Sequence, residues 1–308
     1  MTPPAVSVVV ASHERPDRLA RLLDALARQT LPPERFEVVV VFDDSGERSA
    51  ALLRDHPLAR DGRLRAIRLP AGSGAPSVQR NRGWRAAQAP LVAFTDDDCR
   101  PREDWLAGLL TAARAAPGAV VQGATRPDPE EEHLLRRPLA RSLTIEPPGP
   151  FGQTCNVLYP RDLLERLGGF AEHLPAPAGE DTDLWLRAQE AGTPVAAAPE
   201  ALVWHAVTVP SLADAVRGMG RWQHVAYVVR RHPGIRRHLT LGVFWKPAHA
   251  WLVLALAGLG LARRRPAAAL LAAPWAWSAR SSPRRLVVDL AELAVAVRGA
   301  IRYRTPFL

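Results

Sequence analysis

Two runs of this chain constrain its fold more than anything else in it. Phe36–Phe42 (FEVVVVF) and Leu91–Thr95 (LVAFT) are stretches of strand length, apolar at all but one position each, and each ends on carboxylates, Asp43-Asp44 and Asp96-Asp97-Asp98 respectively. A strand that is apolar at every position is buried on both faces, and such strands belong to parallel sheets covered by helices. Val6–Ala11 is a third run of this kind. Between them the spacing predicts a helix from Pro16, with Leu19, Leu22, Leu23 and Leu26 on one stripe, and helices over Ser49–Asp55 and Val78–Ala87. A strand at Leu64–Leu69 and a glycine-rich loop at Ala71–Ser77 complete a βαβαβαβ order. That order implies an α/β fold with a largely parallel sheet and right-handed crossovers. Ligands of such sheets bind beyond the carboxyl ends of the strands, where both acidic clusters lie.

Residues 126–150 lose this patterning and read as a mobile excursion over the site. It resumes with a strand at Cys155–Tyr159, helices over Arg161–Leu167 and Glu180–Ala191, and a last strand at Ala201–His205. Beyond that point the charge changes sign. Residues 204–308 hold 16 of the 40 basic side chains and three of the 31 acidic ones, whereas residues 1–203 are net acidic. The reading is therefore a two-part chain, an α/β body over 1–210 and a basic helical region over 211–308. Two cysteines exclude a disulfide-built fold, and 47% apolar with 23% charged residues excludes a disordered one. The net charge of +9 suggests nucleic acid, but the excess lies among aliphatic and tryptophan-rich runs without a nucleic-acid motif, so no nucleic-acid partner is expected. Nothing at the N-terminus reads as a signal peptide, which leads to the expectation of a cytoplasmic chain.

The acidic clusters admit two chemistries. Asp96-Asp97-Asp98 is either a solvated turn or a site for a hard cation, Mg2+ or Mn2+, shared with substrate phosphate. His205, closing the last strand, is either structural or a nitrogen ligand. Glu180-Asp181 opens a helix, where acids commonly just complement the helix dipole; alternatively one of them is a general base. Arg80, in Gln79-Arg80-Asn81-Arg82-Gly83, is a natural pyrophosphate partner, although arginine is everywhere in a chain whose one lysine is Lys246.

Taken together, VSVVVASHERPDRLARLLDALARQ, VVVVFDDSGE, QRNRGWRAAQAPLVAFTDDDC and GGFAEHLPAPAGEDTDLWLRAQEAG resemble a family 2 glycosyltransferase of the GT-A fold, in order and spacing over about residues 5–206. The resemblance implies a nucleotide-sugar site made by Ser12, Glu14, Asp43, Asp44, Arg80, Asp96 and Asp97. Asp43 and Asp44 would meet base and ribose, Asp96 the ribose, and Arg80 the diphosphate side. Asp98 would hold a divalent cation, Mn2+ or Mg2+, with His205 as a further metal ligand. Asp181 would be the base and Glu180 its positioning partner. On the acceptor side fall Trp185, which could equally be core packing, and Asn156. The implied reaction is metal-assisted, inverting transfer from a UDP-, GDP- or dTDP-sugar. Arg221-Trp222 lacks the remainder of the QxxRW motif of processive synthases, which favours transfer of a single sugar. Asp43-Asp44-Ser45-Gly46 stands for the usual DDGS, and His13-Glu14 for the Tyr-Asn of many relatives.

Two other function classes fit less well. A nucleotidyltransferase acting on sugar phosphates would need a glycine-rich activating loop, which Ala5–Arg15 lacks. A basic non-enzymatic binding protein is the other alternative, disfavoured because the basic residues are interleaved with long aliphatic runs and tryptophan. In the tail, Leu212–Val229, Ala248–Ala262, Ala267–Ser278 and Leu286–Ile301 read as helices. Ala248–Ala262 would be about 22 Å long at helical rise, short of a ~30 Å hydrocarbon core. The favoured reading is a hairpin or interfacial helices on the anionic inner face of the cell membrane, suited to a lipid-linked or envelope glycan acceptor. A helical subdomain packed on the body and two true spans are the alternatives.

Overall fold

The computed structural model describes residues 3–44, 46–174, 178–278 and 283–308. Ser45, in the turn noted above, lies outside them. The chain divides into two compact units, Met1–Thr208 and Val209–Leu308.

The first unit comprises β1 (Val6–Ser12), α1 (Pro16–Ala27), β2 (Phe36–Phe42), α2 (Arg48–Asp55), α3 (Pro57–Arg60), β3 (Leu64–Arg68), α4 (Pro76–Ala86) and β4 (Leu91–Asp96), followed by β5 (Cys99–Pro101), α5 (Trp105–Ala115), β6 (Val120–Pro127), β7 (Val157–Pro160), α6 (Arg161–Leu167), α7 (Glu180–Glu190) and β8 (Val195–His205). One eight-stranded sheet runs β3-β2-β1-β4-β7-β6-β8-β5. β1 to β4 form its parallel half. Val8, Val10, Val38 and Val40 share a core with Leu19, Leu22, Leu23 and Leu26 of α1. The other face meets α4 so closely that a Cβ at Gly83 would come within 2.4 Å of Val9 Cγ1. Glycine there lets α4 lie against the strands, which carries Arg80 to their carboxyl ends.

The other half is mixed. β7 runs antiparallel to β4 and β6, β6 is parallel to β8, and β5 is antiparallel to β8. The sequence pattern does not announce α5, β5 or β6. In β6 the apolar run stops after Val121, because Gln122 and Gly123 follow. The register against β8 shifts between Gly123 and Ala124, a bulge that leaves carbonyls needing partners. Asn156 supplies them: its Nδ2 donates to Ala124 O at 2.7 Å and Ala201 O at 2.8 Å, while its Oδ1 accepts from Trp105 Nε1 at 2.8 Å. A side chain at Gly123 would strike Asn156.

The 126–150 excursion, expected to be mobile, is tied down along its length. Backbone bridges join Thr125 to Ile145 and Arg141 to Thr208. Arg100 bonds Asp128 through two nitrogens, at 2.9 and 2.7 Å. Glu131 takes Arg18 and Arg21 of α1 and the backbone N–H of Val207. These ion pairs join residues far apart in sequence, so no local pattern reveals them.

The second unit is helical: α8 (Leu212–Met219), α9 (Val225–Arg231), α10 (Pro247–Leu261), α11 (Ala273–Ser278) and α12 (Pro283–Tyr303). The single helix expected over Leu212–Val229 is broken by a 3-10 turn at Gly220–His224. α10 buries His249, Leu252, Ala255 and Gly258 on one side, while Trp251, Leu256, Leu259 and Leu261 are exposed, as are Leu270 and Trp277 farther on. Among the described residues, no helix is long and apolar enough to cross a membrane.

Candidate active site

Parallel register assembles the site. Ala11 pairs with Asp96 and Ser12 with Phe42, so Ser12, Asp43-Asp44 and the Asp96–Asp98 turn emerge side by side from three adjacent strand ends. The first acidic pair is buried. Asp43 accepts from Gln79 Nε2 at 2.9 Å and Gly74 N at 3.0 Å, and meets His13 Nδ1 at 2.7 Å. Asp44 accepts from Ser49 Oγ and from the backbone N–H of Glu14. Glu14 itself holds a φ of 50°, a left-handed turn of the first loop fixed by that bond. His13 stays exposed, and its bond to Asp43 raises its pKa.

The Asp triplet divides its labour. Asp97 turns inward to accept from Ser12 Oγ at 3.0 Å and from Arg15 Nη1 at 3.2 Å. Burial, with the neighbouring Asp98 charge, pushes its carboxyl up to about 6. Asp98 takes Arg15 Nη1 at 2.9 Å on one oxygen, and its other oxygen lies 3.7 Å from His205 Nε2. The antiparallel pairing of Cys99 with His205 creates that proximity. His205 Nδ1 lies 2.9 Å from Ala206 O, and a carbonyl can only accept. In the neutral tautomer with its proton on Nδ1, the Nε2 lone pair faces Asp98, as a metal-binding histidine requires. Cys99 Sγ falls in the same cluster, but burial holds its thiol well above the ordinary range. The donor set left is one carboxylate and one imidazole, which fits a hard or borderline divalent cation such as Mg2+ or Mn2+.

Across the site, α7 enters through Gly179 at φ 95°, a conformation glycine adopts without strain. Its first turn carries Glu180, Asp181 and Asp183. Asp183 is bonded to Arg187 at 2.8 Å, and Arg187 also caps Leu167 O and Gly169 O, which clamps the helix. Glu180 is buried and accepts from Arg80 Nη1 at 2.8 Å, while Arg80 Nη2 donates to Asp96 at 2.9 Å. Asp181 is intermediate in exposure; desolvation of its carboxyl and the charge of Glu180 beside it raise its pKa above the ordinary carboxylate range, against the pull of Arg80.

Three expectations change here. Asn156, expected on the acceptor side, has no exposed surface and all its described bonds go to the bulge and Trp105; it is a structural amide. Trp185 is 1% exposed and lies under Gly152, where a Cβ would come within 2.4 Å of its ring, so it packs the core and does not line an acceptor pocket. Arg80, expected toward the diphosphate, has both Nη atoms on carboxylates. The residues that sequence reasoning passed over are Arg15 and Gln79. Both lie in quoted motifs, and only the paired register shows what they reach.

The sequence profile of glycosyl transferase family 2 matches residues 7–168, and that of glycosyltransferase like family 2 matches residues 147–224. The validoxylamine A glucosyltransferase of Streptomyces hygroscopicus subsp. limoneus is 30% identical over 233 residues, 64% of this chain and 50% of that protein. The succinoglycan biosynthesis protein ExoM of Rhizobium meliloti is 31% identical over 204 residues, 64% of this chain and 65% of that protein. The chain thus spans about half to two thirds of the length of these relatives. Among solved structures, a mannosyltransferase from Pyrobaculum calidifontis in complex with GDP-Man and Mn2+ superposes with a TM-score of 0.66 at 23% identity, covering 99% of this chain and 88% of its own. That likeness shows the GT-A fold.

Proposed function

The chain belongs to glycosyl transferase family 2, and from that premise we propose that it moves a single sugar from a nucleoside-diphosphate sugar to an acceptor hydroxyl with inversion at the anomeric carbon. The observation that carries the reading is the Asp98–His205 pair, with Nε2 3.7 Å from the carboxylate, at the end of the strand whose Asp96 is joined through Arg80 to the Glu180-Asp181 helix. Ser12, Glu14, Asp43 and Asp44 would floor the base and ribose side, and Asp96 would face the ribose. A divalent cation held by Asp98 and His205 would supply positive charge to the departing diphosphate. Asp181 accepts the proton of the acceptor hydroxyl. That oxygen bonds the anomeric carbon as the bond from carbon to the diphosphate oxygen breaks, and the nucleoside diphosphate leaves with the electron pair. A base raised toward neutrality is matched to this task, since it is ionised in use yet takes a proton readily.

The donor would be a UDP-, GDP- or dTDP-sugar, and the acceptor a glycan or lipid-linked glycan. We further propose an anionic membrane surface as the partner of the second unit. Leu256, Leu259, Leu261, Leu270 and Trp277 are exposed around the Arg263-Arg264-Arg265 run, the pairing of apolar and basic groups that anionic lipid accommodates. A donor screen by mass spectrometry tests the activity, with thermal shift against UDP, GDP and dTDP with and without Mn2+. Turnover of one nucleotide sugar, with metal-dependent stabilisation by its nucleotide, is expected. No turnover and no response to any nucleotide would sink the transferase.

A further inference from the structure

Arg80 joins side chains from three separate segments around the site. It projects from α4, is 7% exposed, and lies with its guanidinium 5.7 Å from the centre of the Phe170 ring. Its two terminal nitrogens reach carboxylates that are distant in sequence, Asp96 at the end of β4 and Glu180 at the start of α7. A lysine could serve one of them; a planar fork serves both. Resting on the reading of Asp181 as base, we propose that Arg80 is a positioning residue: by bonding Asp96 and Glu180 at once, it couples the donor end of β4 to the N-terminus of α7 and holds Asp181 in the state and place that a base requires.

The surroundings of Asp181 show what this bond does. Facing it are Glu180 on its own helix, Arg80 from α4, Asp96 from β4, Cys155 from the turn before β7, and Tyr159 from β7. Arg80 is the one cation in that set. Cys155 and Tyr159 are held neutral by burial, so Asp96, Glu180 and Asp181 would otherwise repel one another without compensation. The same guanidinium touches the carboxylate that faces the donor. A donor bonding Asp96 would therefore alter the hold on Glu180, and through it on Asp181, without contacting α7.

The test measures kcat, donor KM and nucleotide affinity across pH for Arg80→Gln and Arg80→Lys. Arg80→Gln is expected to lower kcat about 100-fold at neutral pH and to move its acidic limb up by about one pH unit, so that the deficit narrows at alkaline pH. Nucleotide affinity is expected to change by less than about threefold. Arg80→Lys keeps the charge and loses the fork; it should lower kcat with a smaller movement of the limb. Glu180→Gln, which breaks the same bond from the other end and removes the anion beside Asp181, should move the limb down. It also serves if Arg80→Gln does not fold. A large loss of nucleotide affinity with an unmoved limb would make Arg80 a diphosphate ligand, and a uniform loss at every pH would make it merely structural; either overturns the proposal. A wild-type chain that turns over no nucleotide sugar would instead overturn the transferase reading beneath it.

Discussion

The two units depart from the apolar-inside, polar-outside arrangement in opposite directions. In the sheet unit, Asp43, Asp44, Arg80, Asp97 and Glu180 are buried charged groups, and each is bonded to a partner. In the helical unit, Leu259, Leu261, Leu270 and Trp277 are apolar groups exposed by 54%, 52%, 74% and 88%, next to a run of arginines. Burying charge is costly unless it is paired, and large exposed apolar surface is unusual on a protein that meets only water. The first arrangement gathers charge at the strand ends, and the second leaves apolar side chains uncovered. In the function proposed above, the partner of the first would be a polyanionic donor with its cation, and that of the second a surface that is apolar and anionic together. On that proposal the units would divide the work between chemistry and location.

The sharpest way to break this comparison is at the base. Asp181→Asn should cut transfer by about 10³-fold while a nucleotide titration shows donor binding intact; retained turnover would put the base elsewhere. Next comes the cation. His205→Ala should weaken Mn2+ affinity by about 10- to 100-fold, read by Mn2+ titration in the presence of nucleotide, and a wild-type affinity would return His205 to the core. The helical unit is tested by Leu259→Glu with Leu270→Glu. Binding to phosphatidylserine vesicles should fall by about tenfold or more per residue, with nucleotide affinity unchanged. Equal flotation of variant and parent would show that these side chains meet something other than lipid.

The smallest effect concerns the excursion. Burial opposes ionisation of Asp128, but the Arg100 hydrogen bonds win and hold its carboxyl below the ordinary range. A depressed folded-state pKa contributes stability that is present above the unfolded value and lost as pH falls through the folded one. Asp128→Asn should therefore cost about 1–2 kcal/mol at neutral pH, measured by urea unfolding, and the cost should shrink below pH ~4. A cost that persists unchanged in acid would mean that packing, not the ion pair, ties the excursion down.

The central strands β1, β2 and β4 of the parallel half were legible, because a strand buried on both faces needs apolar side chains at nearly every position and its neighbours must match. The mixed half was not. β6 carries Gln122 and Gly123 where a buried strand usually carries aliphatics, and what makes them acceptable is Asn156, some thirty residues away in sequence. The acidic clusters were legible as strand ends, and so was their place beyond the sheet. The partners of those acids were not: Arg15 reaches Asp98 across 83 positions and Arg80 reaches Glu180 across 100.

By itself, then, the sequence determined the fold class, the row of carboxylates and the split between an acidic body and a basic tail, since each follows from local pattern and composition. Tertiary structure alone decided which of those carboxylates lies beside His205 and which share an arginine, that Asn156 and Trp185 serve the core, and which flank of α10 is left uncovered. Those outcomes depend on close approaches at Gly83, Gly123 and Gly152 and on pairings between distant segments. Packing sets them, and no stretch of chain carries a record of the surface it will meet.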